Sequence, residues 1–148
     1  MRSWVWDVAI DRVGHPVIVY AKFPTNANHQ YWYAQWTGHA WVSHFMTDAG
    51  GSISPQSVEW EYSGGIQLDH ADPGTVYLSR KVANGWEIER WVTGDGGYHW
   101  THQVVVPADG TMNVRPVVPR GGGPMQLLWL HGDYRTYTTY RTSIAFMT

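Results

Sequence analysis

The sequence predicts an all-β fold of four-stranded antiparallel meanders arranged radially, like the blades of a β-propeller. Three observations support this prediction. Short runs rich in aromatic and β-branched residues alternate apolar and polar positions and are bounded by turn residues. None of the 148 residues falls in a convincing helical period. The strand runs also recur in about three groups with a pitch of roughly 50–60 residues, which is typical of propeller blades.

The first predicted blade covers about residues 3–47. Its strands are predicted over 3–11, 16–23, 29–36 and 41–46. Pro24 and Thr37 open the polar turns that precede the third and fourth strands. In the third strand, Tyr31 and Tyr33 should share one face of the sheet, because side chains alternate along a strand.

The second predicted blade covers about residues 62–107 and the third about residues 112–147. Strands of the second are predicted over 66–70, 75–80, 86–92 and 100–106. Those of the third are predicted over 113–119, 125–130 and 136–146, with a loop over 131–135. The last blade is therefore predicted to be one strand short.

Three blades are too few to close a ring. Either other copies of the chain complete the ring, or the chain is a piece of a longer propeller. An incomplete third blade would also leave the strand over 136–146 as an unpaired edge, which invites pairing. Because closed symmetric assemblies are the rule among oligomers, we predict a homo-oligomer and favour a homodimer of six blades.

The hairpin between the third and fourth strands of the second blade carries the pattern S/T-x-D-x-G-x-x-W. Its positions are occupied by Thr93, Asp95, Gly97 and Trp100. The carboxylate can accept hydrogen bonds from backbone N–H groups of the turn, and glycine allows the positive φ that a tight turn needs. The indole should be buried between neighbouring sheets. This pattern is an Asp box, and we predict a structural role for it.

Composition argues against several classes of partner. The net charge is −2 and only 15% of the residues are charged, so the chain has no electrostatic footprint for nucleic acid. Cysteine is absent, and no run of about 18 apolar residues could span a membrane. The N-terminus lacks the apolar segment of a signal peptide. The 10 Trp and 9 Tyr residues can build a core or offer flat platforms for sugar rings.

No cofactor or metal is predicted. Asp69, His70 and Asp72 lie together at one predicted turn and could suggest a metal site. Three ligands of mixed type at one turn more often belong to a hydrogen-bonded turn, so that interpretation is preferred.

Four further segments look like parts of a known repeat. They cover residues 63–73, 76–80, 86–91 and 113–119. With the Asp box, they resemble BNR (Asp-box) repeat proteins, and most closely the BNR-4 group, which includes propeller polysaccharide lyases. The resemblance covers most of the chain and is to the C-terminal three blades of such a propeller. It implies a sialidase-like propeller, a polysaccharide or oligosaccharide partner, and a secreted or periplasmic location.

The topology of a four-stranded blade places two kinds of loop at the same end of the sheet. These are the connection to the next blade and the turn between the second and third strands. In the family, the substrate cleft is usually at this end. The resemblance therefore implies substrate-binding roles for Asn28, Tyr62, Trp86, His131 and Arg135.

Three residues at this end suit β-elimination from an acidic polysaccharide. Arg115 could neutralise the uronate carboxylate with a bidentate pair of hydrogen bonds, which would make the adjacent proton more acidic. His29 or Tyr134 could act as the base, and a tyrosine could protonate the leaving oxygen. Arg135 is an alternative cation, and His131 is an alternative base.

The favoured function is therefore a carbohydrate-active propeller module of the polysaccharide lyase type. A glycoside hydrolase comes second, because Glu59 and Glu61 alternate on one strand face and could mimic a carboxylate pair, although solvated connector charges explain them better. Two alternatives without catalysis are a carbohydrate-binding propeller and a self-assembling propeller fragment without activity.

Overall fold

The chain folds entirely into β-structure. A computed structural model describes residues 1–54 and 59–148, and within these ranges it contains eleven strands and no helix. The all-β prediction is therefore confirmed. The strands are β1 Ser3–Ile10, β2 Pro16–Lys22, β3 His29–Trp36, β4 Trp41–Gly50, β5 Ile66–Leu68, β6 Thr75–Val82, β7 Gly85–Val92, β8 Thr101–Val106, β9 Met112–Val117, β10 Leu127–Thr136 and β11 Thr139–Met147.

The strands form three open sheets, each a simple meander. Sheet 1 has the order β1-β2-β3-β4, sheet 2 the order β5-β6-β7-β8, and sheet 3 the order β9-β10-β11. Every neighbouring pair is antiparallel. Within each sheet, strands that are consecutive in the sequence therefore lie side by side, as short turns require.

Alternation of side chains decides which face of each sheet is buried. In β2, Val17, Val19 and Ala21 are completely buried, whereas the residues between them are half-buried. In β6 the burial is continuous from Thr75 to Ser79. Continuous burial identifies sheet 2 as the central layer, because only a strand covered on both faces buries successive side chains.

Two apolar cores lie on the two faces of sheet 2. One joins it to sheet 1 and includes Val19, Tyr31, Leu78 and Trp91. The other joins it to sheet 3 and includes Tyr77, Ile88 and Leu127, with Trp129 and Met147 packed against it. The first strands of the three sheets also contact in succession, β1 against β5 and β5 against β9.

A buried tyrosine ties the first two sheets together. The Tyr31 hydroxyl donates to the Ser79 carbonyl oxygen at 2.9 Å and accepts from the Gly65 N–H at 2.9 Å. Burial raises the pKa of Tyr31 far above its usual value, so the hydroxyl keeps its proton.

One sequence prediction was wrong. The loop predicted over 131–135 is instead the second half of β10, which continues to Thr136. Gly132 is the reason: its φ of 137° brings the strand so close to β11 that a Cβ would collide with the Arg141 carbonyl oxygen. A glycine followed by a polar segment resembles a loop, but here it is needed for close strand approach.

Candidate functional site

The sheet-to-sheet connections meet at one end of the stack, which we call the connection end. The Ser52 N–H donates to the Asn26 carbonyl oxygen in the β2–β3 turn, at 3.3 Å. The Ser54 hydroxyl donates to the Arg135 carbonyl oxygen near the end of β10. The Gly110 N–H donates to the Asn84 carbonyl oxygen in the β6–β7 turn, at 2.9 Å. These contacts assemble residues from all three sheets into one surface.

An arginine lies among aromatic rings in this region. The guanidinium carbon of Arg115 is 5.6 Å from the ring centroid of Trp6, 5.2 Å from that of Tyr62 and 5.6 Å from that of Tyr134. Trp4 packs edge-on against Tyr62 with a centroid distance of 5.9 Å. We call these five residues the Arg115 site. Cation–π attraction favours a positive charge among such rings.

The backbone of β9 positions the arginine. Arg115 has a φ of 57°, where the register between β9 and β10 shifts. A bulge of this kind redirects a side chain out of the regular alternation. The Arg115 N–H donates to the Gly64 carbonyl oxygen, and Gly65 lies so close that a Cβ on it would be 3.1 Å from the Arg115 Cα. Gly65 therefore allows β5 to approach the bulge.

The polar partner of the arginine side chain is the neutral Tyr134 hydroxyl. Arg115 is half-buried, and its Nε is buried without a hydrogen-bond partner. Within residues 1–54 and 59–148, no carboxylate forms an ion pair with Arg115. Glu61 lies near it but is paired with Arg2. A cavity of about 180 Å³ opens beside the guanidinium, lined by Trp4, Val5, Trp6, Glu61, Tyr62 and Arg115. The site thus offers, in an aromatic setting, a guanidinium that forms no ion pair with a carboxylate of the described residues.

Tyr134 links this site to a larger cavity. Its side chain is only 7% exposed, and burial raises its pKa while the Arg115 charge partly opposes that shift. The second cavity measures about 490 Å³ and is lined by Ser52, Ile53, Lys81, Trp86, Met112, Asp133, Tyr134, Arg135, Thr136 and Thr139. The exposed Arg135 pairs with Asp133, with Nε and Oδ2 3.0 Å apart.

His29 lies in the interior. Its Nδ1 is 2.8 Å from the Ser63 Oγ, and its ring packs edge-on against Phe23 at 4.7 Å. Burial lowers its pKa, partly offset by the Trp60 backbone and the charge of Glu61. The neighbouring Asn28 donates its N–H to the Thr25 hydroxyl within the turn. His29 is completely buried, so its imidazole has no contact with solvent.

His131 and Trp86 belong to a hydrogen-bonded cluster around Asn113. The Asn113 side-chain amide donates to the Trp86 carbonyl oxygen at 2.9 Å. Its carbonyl oxygen faces the Trp129 Nε1 and the His131 Nδ1, both at 2.9 Å. Since that oxygen can only accept, His131 carries its proton on Nδ1 when neutral. Its Nε2 lies 3.7 Å from an Asp109 carboxylate oxygen.

The structure therefore brings Arg115, Tyr62 and Tyr134 together but places the two histidines elsewhere. Sequence reasoning missed Trp4, Trp6 and Lys81. The signal for the tryptophans was present: they alternate in the first strand of a sheet, and first strands contact one another across the stack.

The hairpin over 93–100 lies at the end of sheet 2 opposite the connection end. Asp95 accepts from the Thr93 hydroxyl and the His99 N–H, both at 2.9 Å. The Trp100 Nε1 donates to the Gly97 carbonyl oxygen at 3.0 Å, and its ring packs edge-on against Tyr33 of sheet 1 at 5.2 Å. The hairpin thus closes on its own carboxylate and helps to join two sheets.

Residues 1–54 and 59–148 contain neither a metal-binding cluster nor a membrane-spanning helix. No group of three or more His, Asp or Glu side chains is arranged there to hold a metal ion. The same residues contain no helix long and apolar enough to cross a bilayer.

Comparison with known proteins found no significant match to a protein-family model, a curated protein or a solved structure.

Proposed function

We propose that the chain is a carbohydrate-binding β-propeller segment whose Arg115 site binds the carboxylate of an acidic sugar within a polysaccharide or oligosaccharide. One observation carries the proposal: a half-buried guanidinium without a carboxylate partner lies among aromatic rings and beside a cavity. Arginine binds a carboxylate bidentately, and aromatic rings offer flat apolar surfaces to sugar rings.

The arrangement of the sheets supports the propeller part of the proposal. Three meanders follow one another, pack face to face and keep their first strands in contact. In a propeller, these first strands line a central channel. Three blades would fill part of a ring, and oligomerisation would supply the rest. The Arg115 site, built from β1, β9, β10 and the connection before β5, would then open on that channel.

Binding is preferred to catalysis because neither of the two histidines expected as a base lies at the site. His29 is completely buried, and His131 is held by Asn113. A polysaccharide lyase is the second candidate, favoured by Tyr134 beside Arg115. Its raised pKa keeps the phenol protonated at neutral pH, which suits an acid that protonates the leaving oxygen. Removal of the proton next to the carboxylate would need a further group.

Titration with uronate-rich and neutral oligosaccharides tests the proposal, with tryptophan fluorescence and calorimetry as readouts. Trp4 and Trp6 lie within the site, so occupancy should change the emission. We expect the Arg115→Lys variant to weaken uronate binding by about tenfold or more, because a bidentate charged pair is worth about 1.5–3 kcal/mol. Arg12→Ala is the matched control, since Arg12 is an exposed arginine in the β1–β2 turn.

Three outcomes separate the candidates. Uronate binding that is lost in Arg115→Lys and kept in Arg12→Ala supports the proposal. Ultraviolet absorbance from an unsaturated sugar, abolished in Tyr134→Phe, would establish the lyase. Absence of both signals, or equal affinity for neutral and acidic sugars, would contradict the Arg115 assignment and favour a fragment without activity.

A further inference from the structure

Both outer sheets carry an exposed apolar face that points away from the stack. On sheet 1 the exposed side chains are Val5, Val8, Ile10, Trp41 and Phe45, between 45% and 58% exposed. We call them outer face 1. On sheet 3 they are Val117, Ile144 and Phe146, between 50% and 71% exposed. We call them outer face 3.

Strand register shows that each face is continuous across its sheet. In sheet 1, Val5, Tyr20, Trp32 and Phe45 form one row of directly paired residues. In sheet 3, Val117, Leu128 and Phe146 form another. The opposite faces of these two sheets bury the cores against sheet 2. The outer faces therefore have the composition of an interior but lie at the surface.

Charged groups lie only at the margin of these faces. On sheet 1, Lys22 and Asp48 occupy the paired row nearest the connection end, and the Lys22 Nζ lies 3.5 Å from the Trp32 ring centroid. The next row inward carries Val5 and Phe45. No charged residue occurs in the rows of sheet 3 that contain Ile144 and Phe146. A buried interface needs such an uncharged centre.

We propose that outer face 1 of one copy packs against outer face 3 of a second copy. Outer face 3 of the first copy packs in the same way against outer face 1 of the second, so that two such junctions close a ring of six sheets. This inference rests on the propeller arrangement proposed above. The two faces lie on opposite sides of sheet 2, so neither can cover the other within one chain. Face-to-face packing of this kind repeats the way in which sheets 1, 2 and 3 already pack.

The available area is sufficient for a stable dimer. Each junction would cover eight side chains that are roughly half exposed. Since a large aromatic side chain buries about 150–250 Å² and the aliphatic ones less, one junction covers roughly 700 Å². Two junctions then bury about 1,400 Å², within the range of about 1,200–2,000 Å² found for stable specific interfaces. A single junction would fall below that range.

The second copy would also complete the Arg115 site. Val5 belongs to outer face 1 and lines the cavity beside the guanidinium. Sheet 3 of the partner would therefore form one edge of that cavity. Closure would place two Arg115 sites around one channel, which suits an extended polyanionic chain more than a single sugar.

The test is the particle mass of the full chain in solution, measured by light scattering. Two variants place a charge at the centre of either face: Val8→Lys on outer face 1 and Ile144→Asp on outer face 3. We expect the wild type to have twice the mass of one chain and each variant to be a folded monomer. Val13→Lys is the control, because Val13 is 75% exposed in a turn outside both faces.

Mixing the two variants identifies which faces meet. In a mixed dimer, the lysine introduced by Val8→Lys in one chain would meet the variant outer face 3 of the other, while the second junction stays wild-type. A two-chain particle should therefore return on mixing. The proposal would be overturned if the wild type were a monomer, or if either Val8→Lys or Ile144→Asp remained a dimer. It would also be overturned if mixing the two variants did not restore a two-chain particle. Sugar binding is measured separately on the same particles. A wild-type dimer that does not bind acidic sugars would refute only the proposed function and not the dimer.

Discussion

At the scale of single residues, Asp95 shows how one carboxylate can hold a turn. Hydrogen bonds from the His99 backbone and ring, and from the Thr93 hydroxyl, lower the pKa of Asp95 to about 2. A lowered folded-state pKa means that the ionised form stabilises the fold above the usual value of 3.8. This contribution is lost as the pH falls through 3.8 towards about 2.

Replacing Asp95 with Asn should therefore lower the thermal midpoint at pH 5 to 7, because the charge-assisted bonds are lost. The difference from wild type should shrink as the pH falls from 3.8 to about 2. Thermal unfolding followed by circular dichroism over this range measures it. Asp48→Asn, which removes a carboxylate at an exposed strand position, is the control. A difference in thermal midpoint between wild type and Asp95→Asn that stays constant down to pH 2 would contradict the stabilising role of the ionised carboxylate.

Residue chemistry predicted part of the candidate site. Chemical type and loop position favour Arg115, Tyr62 and Tyr134 as site residues, and the structure places these three close together. The same criteria favour His29, but its side chain is buried against Ser63 and Phe23. The sequence cannot separate these cases, because a strand-end histidine can point into the interior or out of it. That choice depends on how the neighbouring sheet packs.

At the scale of secondary-structure elements, β10 and β11 depend on a single glycine. Gly132 has a φ of 137° and lies against the Arg141 carbonyl oxygen across the ladder. Alanine there would combine an unfavourable backbone conformation, which costs about 1–3 kcal/mol, with a collision against the partner strand. The hairpin that carries Tyr134 would shift as a consequence.

We expect Gly132→Ala to lower the free energy of unfolding by more than about 2 kcal/mol in denaturant titrations. Gly94→Ala is the matched control, because no atom lies within 4 Å of the position that a Cβ would take there and its φ is ordinary. Equal stability of the two variants would show that β10 and β11 do not need the close approach at Gly132.

Alternation predicted most strands, since β2, β3 and β7 repeat with a period of two and end at turn residues. It failed in β10, where Gly132 and Asp133 interrupt the pattern. Here local composition indicated a loop, whereas the long ladder with β11 maintains the strand. Tertiary pairing overrides local preference most readily in strands.

At the scale of the whole molecule, the central sheet is covered and the outer sheets are each covered on one face. The all-β class followed directly from periodicity. The relative placement of the sheets did not, because it depends on contacts between distant segments. An example is Tyr31, whose hydroxyl bridges Ser79 and Gly65. No local pattern in the sequence identifies those two partners.

A molecule whose outer faces are covered only by a partner should become more stable as its concentration rises. We therefore expect the thermal midpoint of the wild type to increase with protein concentration, by mass action. The Ile144→Asp variant should unfold at one temperature at all concentrations. Differential scanning fluorimetry over a wide dilution series provides the measurement. A wild-type midpoint that does not depend on concentration would argue against assembly.

Under the proposed function, the left-handed backbone of Arg115 makes thermostability and ligand binding compete at a single position. A non-glycine residue at a φ of 57° costs about 1–2 kcal/mol, a penalty that glycine would escape. Directed evolution for heat resistance alone should therefore favour glycine at position 115 and discard the guanidinium. Selection that also demands ligand capture should retain the arginine and seek compensating changes elsewhere.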